Sequence, residues 1–264
     1  MNFKRVYAIF LRQILLLKKG HFRLMSLFYW STLDLFLWGI LSGYLGRVGH
    51  GRIGLASTLI GAVILSSFFF RVVQGITVAF LEDVWMRNFI NLFASPLSIH
   101  EYMMGLVATS IFDTAVSLSF MMLLAWFLFA YNIFRFGFAL IPFVAVLFVF
   151  GWAIGVFATA VVLRLGPSAE IFTWSIPALM TPFSAVFYPV KILPLPLQKI
   201  AFFVPAMHLF EGMRSALLDS TFSLEHLAWA TILNLAYLAC GISFFYWMVR
   251  AARKRGALSR LVTG

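Results

Sequence analysis

Acidic side chains are nearly absent from this sequence, with nine Asp and Glu among 264 residues, and charged residues of either sign make up only 11%. A soluble domain carries roughly 25% charge, so this chain cannot cover itself with a water-solvated surface. Cysteine is reduced to Cys240, which excludes an intrachain disulfide framework and a thiolate metal cluster. The patterns H-E-x-x-H, G-x-S-x-G and the phosphate loop G-x-x-x-x-G-K-[ST] are missing as well. Zinc-protease, serine-hydrolase and nucleotide-loop chemistry therefore have no encoded centre.

What the chain has is apolar length. It is 62% hydrophobic with a mean hydropathy of +0.97. Apolar segments at about 24–46, 53–80, 102–131, 136–163, 171–190 and 227–249 each reach the ~20 residues needed to cross ~30 Å of hydrocarbon. The fold class expected is an all-α integral membrane protein with six transmembrane helices. Residues 1–264 form a single transmembrane domain: an interfacial helix at 1–22, spans one to five within 24–190, a re-entrant pair of short helices at 191–226, and span six with a basic tail at 227–264.

The net charge of +11 raises the question of nucleic acid, and the distribution answers it. Basic residues gather at the two ends, as Lys4, Arg5, Arg12, Lys18, Lys19 and Arg23, and as Arg250, Arg253, Lys254, Arg255 and Arg260. With the alternate loops included, thirteen basic residues fall on the side of the termini and six on the other, with Arg71 inside a span. That asymmetry places both termini in the cytosol and excludes nucleic acid as a partner.

Residues 2–20 carry Phe3, Val6, Tyr7, Phe10, Ile14 and Leu17 at helical spacing, with Arg5, Arg12 and Lys19 on another face. This pattern predicts an interfacial helix resting on anionic membrane lipids. Between the second and third spans, Leu81 to Tyr102 resumes an amphipathic pattern around Glu82, Asp83 and Arg87, and Pro96 closes it. The segment 191–226 is too apolar for a loop and too broken by Pro194, Pro196 and Pro205 for a span. Each of those prolines suits a first helical turn, so two short helices are expected, at about 195–203 and 205–218, dipping into the outer leaflet.

Asp34, Arg71 and Asp113 are the ionisable residues deep in spans. Each costs about 2.5–3.5 kcal/mol there unless paired, and their similar depths predict an intramembrane charge cluster. His208, Glu211 and Arg214 recur at intervals of three on one helix face, as a hydrogen-bonded face and not a metal site. The pairs Gly39 with Gly43 and Gly151 with Gly155 permit close helix contacts.

Glu82, Asp83 and Arg87 spell E-D-x-x-x-R, close to the glutamate motif of membrane CAAX-type proteases. None of the five histidines has Asn four residues on, so the partner motif is missing and no enzyme is indicated. No repeated filter sequence or matching pair of broken spans supports a channel or an inverted-repeat secondary transporter, which stand as the alternative.

The basic amphipathic N-terminal helix, six spans, the E-D-x-x-x-R segment ending in S-P-L-S before Tyr102, and the proline-broken F-Y-P…L-P…P…H…E…R run from Phe187 to Arg214 together resemble ABC-2-type transporter permeases. The resemblance implies a permease subunit working as a dimer with a second permease copy and with a separate cytosolic ABC ATPase. That ATPase would bind the ATP and Mg, with no cofactor in this chain. It implies that the helix between spans two and three docks on the ATPase through Glu82, Asp83, Arg87, Asn88 and Asn91. It further implies that the short helices form an external gate shaped by Pro189, Pro194, Pro205, His208, Glu211 and Arg214. The implied setting is the bacterial cytoplasmic membrane, and the implied activity is export of a lipid, polysaccharide or drug-like substrate. The bulky Val84, Trp85 and Met86 depart from the glycine-containing docking sequence usual in that family.

Overall fold

A computed structural model describes residues 1–48, 53–86, 88–132, 140–166, 169–218 and 223–254. Among the described residues there is no strand. The helices are α1 (Phe3–Lys19), α2 (His21–Val48), α3 (Ile53–Trp85), α4 (Phe89–Ala94), α5 (Ile99–Phe129), α6 (Leu140–Leu165), α7 (Glu170–Phe183), α8 (Leu195–Phe202), α9 (Pro205–Leu218) and α10 (Leu224–Lys254), with a short 3-10 turn at Val190–Ile192.

Among the described residues, five segments are long and apolar enough to cross a membrane: Arg23–Tyr44, Leu59–Trp85, Ile99–Phe129, Ile141–Leu165 and Leu224–Ala251. The segment expected as the fifth span, 171–190, holds instead the 14-residue α7, which rises only about 21 Å. Pro177 and Pro182 both lie inside it, each removing a ladder hydrogen bond. Beyond Ser184 the backbone turns through Ala185, at φ 52°, and the hydroxyl of Tyr188 donates to the carbonyl of Pro182 at 2.7 Å.

The short helices follow the prolines as the sequence predicts. Pro194 caps α8 and Pro205 is the first residue of α9. The segment after span two differs. Helix α3 continues to Trp85, so Glu82, Asp83 and Val84 belong to the end of a membrane helix, and the separate short helix is only Phe89–Ala94. The reason lies in burial: Leu81 and Val84 are in the core, and covering them extends the helix beyond the first charges.

Helices α3 and α6 form the middle of the bundle, with most of their apolar spans buried, whereas those of α2, α5 and α10 are mostly uncovered. Small residues allow the close approaches. A Cβ on Gly151 would meet the side chain of Val72 at 2.5 Å, and one on Gly155 would lie 3.3 Å from the Val73 carbonyl, so this glycine pair seats α6 on α3. The other pair is only half used: Gly39 faces the ring of Phe129, while a Cβ on Gly43 would meet open space.

Two apolar clusters mark the ends of the bundle. One gathers Ile9, Leu81, Val84, Tyr102, Leu163, Ala169 and Met248, the other Ile60, Tyr131, Phe143, Val186 and Val204. Helix α7 starts beside Ala169, in the first cluster, and leads to Val186 in the second.

Candidate functional site

Charged residues gather beside the first cluster, and α1 supplies two of them, Arg5 and Arg12. Helix α1 lies against α5, where Gly105 makes room: a Cβ there would come within 2.5 Å of Ile9. Packed this way, α1 buries Ile9, Gln13 and Leu17, and the same face brings Arg5 and Arg12 to the protein. The expected lipid-facing basic stripe is therefore corrected for these two residues; Lys4, Lys18 and Lys19 remain exposed.

Arg12 grips Asp83 with both guanidinium nitrogens, one contact being Nη1 to Oδ2 at 3.1 Å. Asp83 is 0% exposed. It also accepts from the hydroxyl of Tyr102 at 2.8 Å and from Asn88 Nδ2 at 3.4 Å. Burial alone would lower the pKa of Arg12, but the hydrogen bond and charge of Asp83 outweigh it and raise it. The guanidinium thus keeps its charge in the desolvated two-pronged contact.

A second junction forms at the start of α5. The Ser98 hydroxyl and the Glu101 carboxylate make a reciprocal capping box, which satisfies two of the helix's orphan N–H groups. Glu101 then reaches across to α1, accepting from the backbone N–H of Asn2 at 2.7 Å and pairing with Arg5 at 3.5 Å. Arg23 makes a third junction, donating to Gln13 Oε1 at 3.0 Å and pairing with Glu82 at 2.6 Å and Asp113 at 3.6 Å.

The acidic residues expected on an outward docking surface are therefore spoken for from inside: Asp83 by α1, Glu82 by α2. What the segment presents outward is Trp85, Met86, Asn91, Ala94, Ser95 and Pro96. Asn88 is half-buried and accepts from Asn91 Nδ2 at 3.3 Å. Arg87 lies outside the described residues. Sequence reasoning missed Arg5, Arg12, Gln13 and Tyr102 as partners. The available signal was the seven-residue spacing of Arg5 and Arg12, which puts them on one face with Ile9 and Gln13.

The intramembrane charges form a looser group than expected. Arg71 donates to the Ser26 carbonyl at 2.8 Å, Asp34 accepts from Ser67 at 3.2 Å, and Asp113 pairs with Arg23. None of the three is ion-paired directly with another, yet Arg71 borders both a cavity shared with Asp113 and one shared with Asp34.

At the opposite end, the His208, Glu211 and Arg214 face divides. Glu211 accepts from the backbone N–H of Val190 at 2.6 Å and pairs with Arg214 at 2.9 Å, while Arg214 donates to the carbonyl of Ala185 at 2.8 Å. These two residues lock the turn around Pro189 onto α9. His208 points elsewhere. Its Nε2 donates to the carbonyl of Phe202 at 2.8 Å, so in the neutral ring its Nδ1 accepts from His226 Nδ1 at 3.3 Å. Burial pushes the His208 imidazole below its usual pKa. Pro189, Pro194 and Pro205 each sit at the start of a turn or helix.

A family model described as ABC-2 type transporter matches residues 5–218, a range that takes in all three charged junctions and the α8–α9 pair. No curated protein matches the chain.

Proposed function

The chain belongs to the ABC-2 type transporter family, and from that premise we propose that it is the permease subunit of an ATP-driven exporter. Two copies would form the path for a lipid, polysaccharide or drug-like substrate. A separate cytosolic ABC ATPase would bind ATP and Mg and supply the stroke. The setting would be the bacterial cytoplasmic membrane, with both termini in the cytosol. The course of α7 from the first apolar cluster to the second supports a sixth, shorter crossing, which returns the C-terminus to the side of the N-terminus.

The observation that carries this reading is the segment between α3 and α5. Its acidic residues are anchored from behind by α1 and α2, while Trp85, Met86 and Asn91 face away. A surface that receives force must be rigidly backed, and bidentate buried ion pairs provide such backing. We assign Asn88 and Asn91, with Trp85 and Met86, to ATPase contact, and Glu82 and Asp83 to transmitting the motion; Arg87 stays a candidate contact by its place in the sequence. Helices α8 and α9, with Glu211 and Arg214 fastening the Pro189 turn, would form the external gate.

The test is copurification with an ABC ATPase partner and measurement of its hydrolysis. Met86→Asp and Asn91→Arg should each release the ATPase while the permease still purifies as a folded membrane protein. If the permease transports in proteoliposomes under an ion gradient with no ATPase bound, the reading is wrong and a secondary transporter replaces it.

A further inference from the structure

Two opposite charges stand near the middle of their membrane spans without touching. Asp34 is near the centre of Arg23–Tyr44 and Arg71 near the centre of Leu59–Trp85, the depth at which a charge is most costly. In so poor a dielectric an aspartate and an arginine within reach of each other should close into contact. These do not: no ion pair within 4.0 Å joins them, because Ser67 holds Asp34 and the Ser26 carbonyl holds Arg71. Both border one cavity of about 300 Å³ between α2, α3 and α7, flanked by Trp30 and Trp174. A neighbouring cavity of about 80 Å³ shares Arg71 and both tryptophans with it and is lined by Asp113. There Asp113, 5% exposed, has Oδ1 without a hydrogen-bond partner.

We infer that this cleft is a binding site for a zwitterionic group, an ammonium beside a phosphate or carboxylate, that bridges Asp34 and Arg71. The anionic half takes the guanidinium of Arg71, which has donors beyond the one given to Ser26. The ammonium takes the Asp34 carboxylate and lies against the indole faces of Trp30 and Trp174, which attract cations. A single charge of either sign would give a contacting counter-charge to one of the two residues only, and a neutral group to neither, so the separation itself selects a dipolar ligand. The cavity matches the lower end of small-ligand sites, enough for a headgroup but not for a whole lipid, whose chains would remain in the bilayer. The inference deepens the permease reading and rests on it only for calling the ligand a substrate.

The experiment is calorimetric titration of the full-length permease in nanodiscs, with no ATPase present. Ligands are short-chain phosphatidylethanolamine, short-chain phosphatidylglycerol and glycerophosphoethanolamine. Phosphatidylethanolamine should bind roughly tenfold or more tighter than phosphatidylglycerol. Asp34→Asn should erase that preference, and Arg71→Gln should abolish binding of both lipids. Trp30→Leu, at a position 54% exposed and so harmless to folding, should weaken phosphatidylethanolamine about threefold. Competition by glycerophosphoethanolamine at equal strength would identify a soluble zwitterion, and failure to compete would identify a lipid headgroup; either supports the site. Equal binding of the two lipids by the wild type, or a preference that survives both Asp34→Asn and Trp30→Leu, would overturn it. Loss of the ATPase partnership would leave this titration unchanged, so the two ideas fail separately.

Discussion

Arg12 and Asp83 lie 71 residues apart and meet in a two-pronged ion pair between the N-terminal helix and the last turn of α3. The carboxylate is fully buried and the guanidinium mostly so. Breaking such a pair from one side strands the other charge in a dry interior.

Arg12→Ala is accordingly expected to destabilise the protein by on the order of 3 kcal/mol, read as a fall in thermal unfolding midpoint in detergent. Asp83→Asn should cost a similar amount, and the double variant less than the sum, since it strands neither charge. Arg12→Lys should fail to restore the wild type, because an ammonium cannot form the two parallel bonds. Equal additivity across the cycle would show that the two side chains act independently.

Tyr102→Phe removes the hydroxyl that donates to Asp83 at 2.8 Å while keeping the buried ring. A loss of about 1.5–3 kcal/mol is expected, the range for a hydrogen bond to a charged group. If α1 and the α3–α5 segment transmit force together, ATPase activity stimulated by the permease should drop further than stability alone explains. An unchanged midpoint would mean that the hydroxyl contributes nothing to the junction.

Gly105 is where α1 touches α5. Gly105→Val should clash with Ile9 and press α1 away from α5, at a cost of about 1–3 kcal/mol for overpacking, and expose the segment before Gly20 to limited proteolysis. Combining it with Ile9→Ala should recover part of the protection. Cleavage at the wild-type rate in Gly105→Val would contradict the close approach.

His208 gives a pH dependence with a definite sign. Burial holds its folded pKa below the usual value, and the charge of His226 adds to this, while the Phe202 carbonyl and Glu225 oppose it. As pH falls past about 6.5, the usual histidine value, the unfolded chain takes up the proton first, so stability falls with pH in that window and is full above it. Unfolding midpoints between about pH 7.5 and 5.5 should therefore decline in the wild type and decline less in His208→Gln. A wild-type midpoint that rises on acidification would refute this.

Much of the architecture was legible from local chemistry. Pro194 and Pro205 mark the starts of α8 and α9 because a proline fits a first turn and little else in a helix. Glu211 and Arg214 lie within reach of each other because three residues return to one helix face. The helix within 171–190 is shorter than hydropathy alone suggests, because Pro177 and Pro182 leave the segment apolar but interrupt its hydrogen-bond ladder.

The sequence by itself determined the solvent of this protein: with 11% charge and long apolar runs it must lie in lipid. Only the tertiary structure decided which way its few acids face. Helical periodicity reports that a face is apolar or polar, not what covers it, and in a membrane both lipid and protein cover apolar faces equally well. Whether Arg12 serves lipid or Asp83, and whether Asp34 and Arg71 touch or stand apart, is set by contacts between residues 33 to 71 positions distant in the chain, reached only when α1, α2 and α3 have packed.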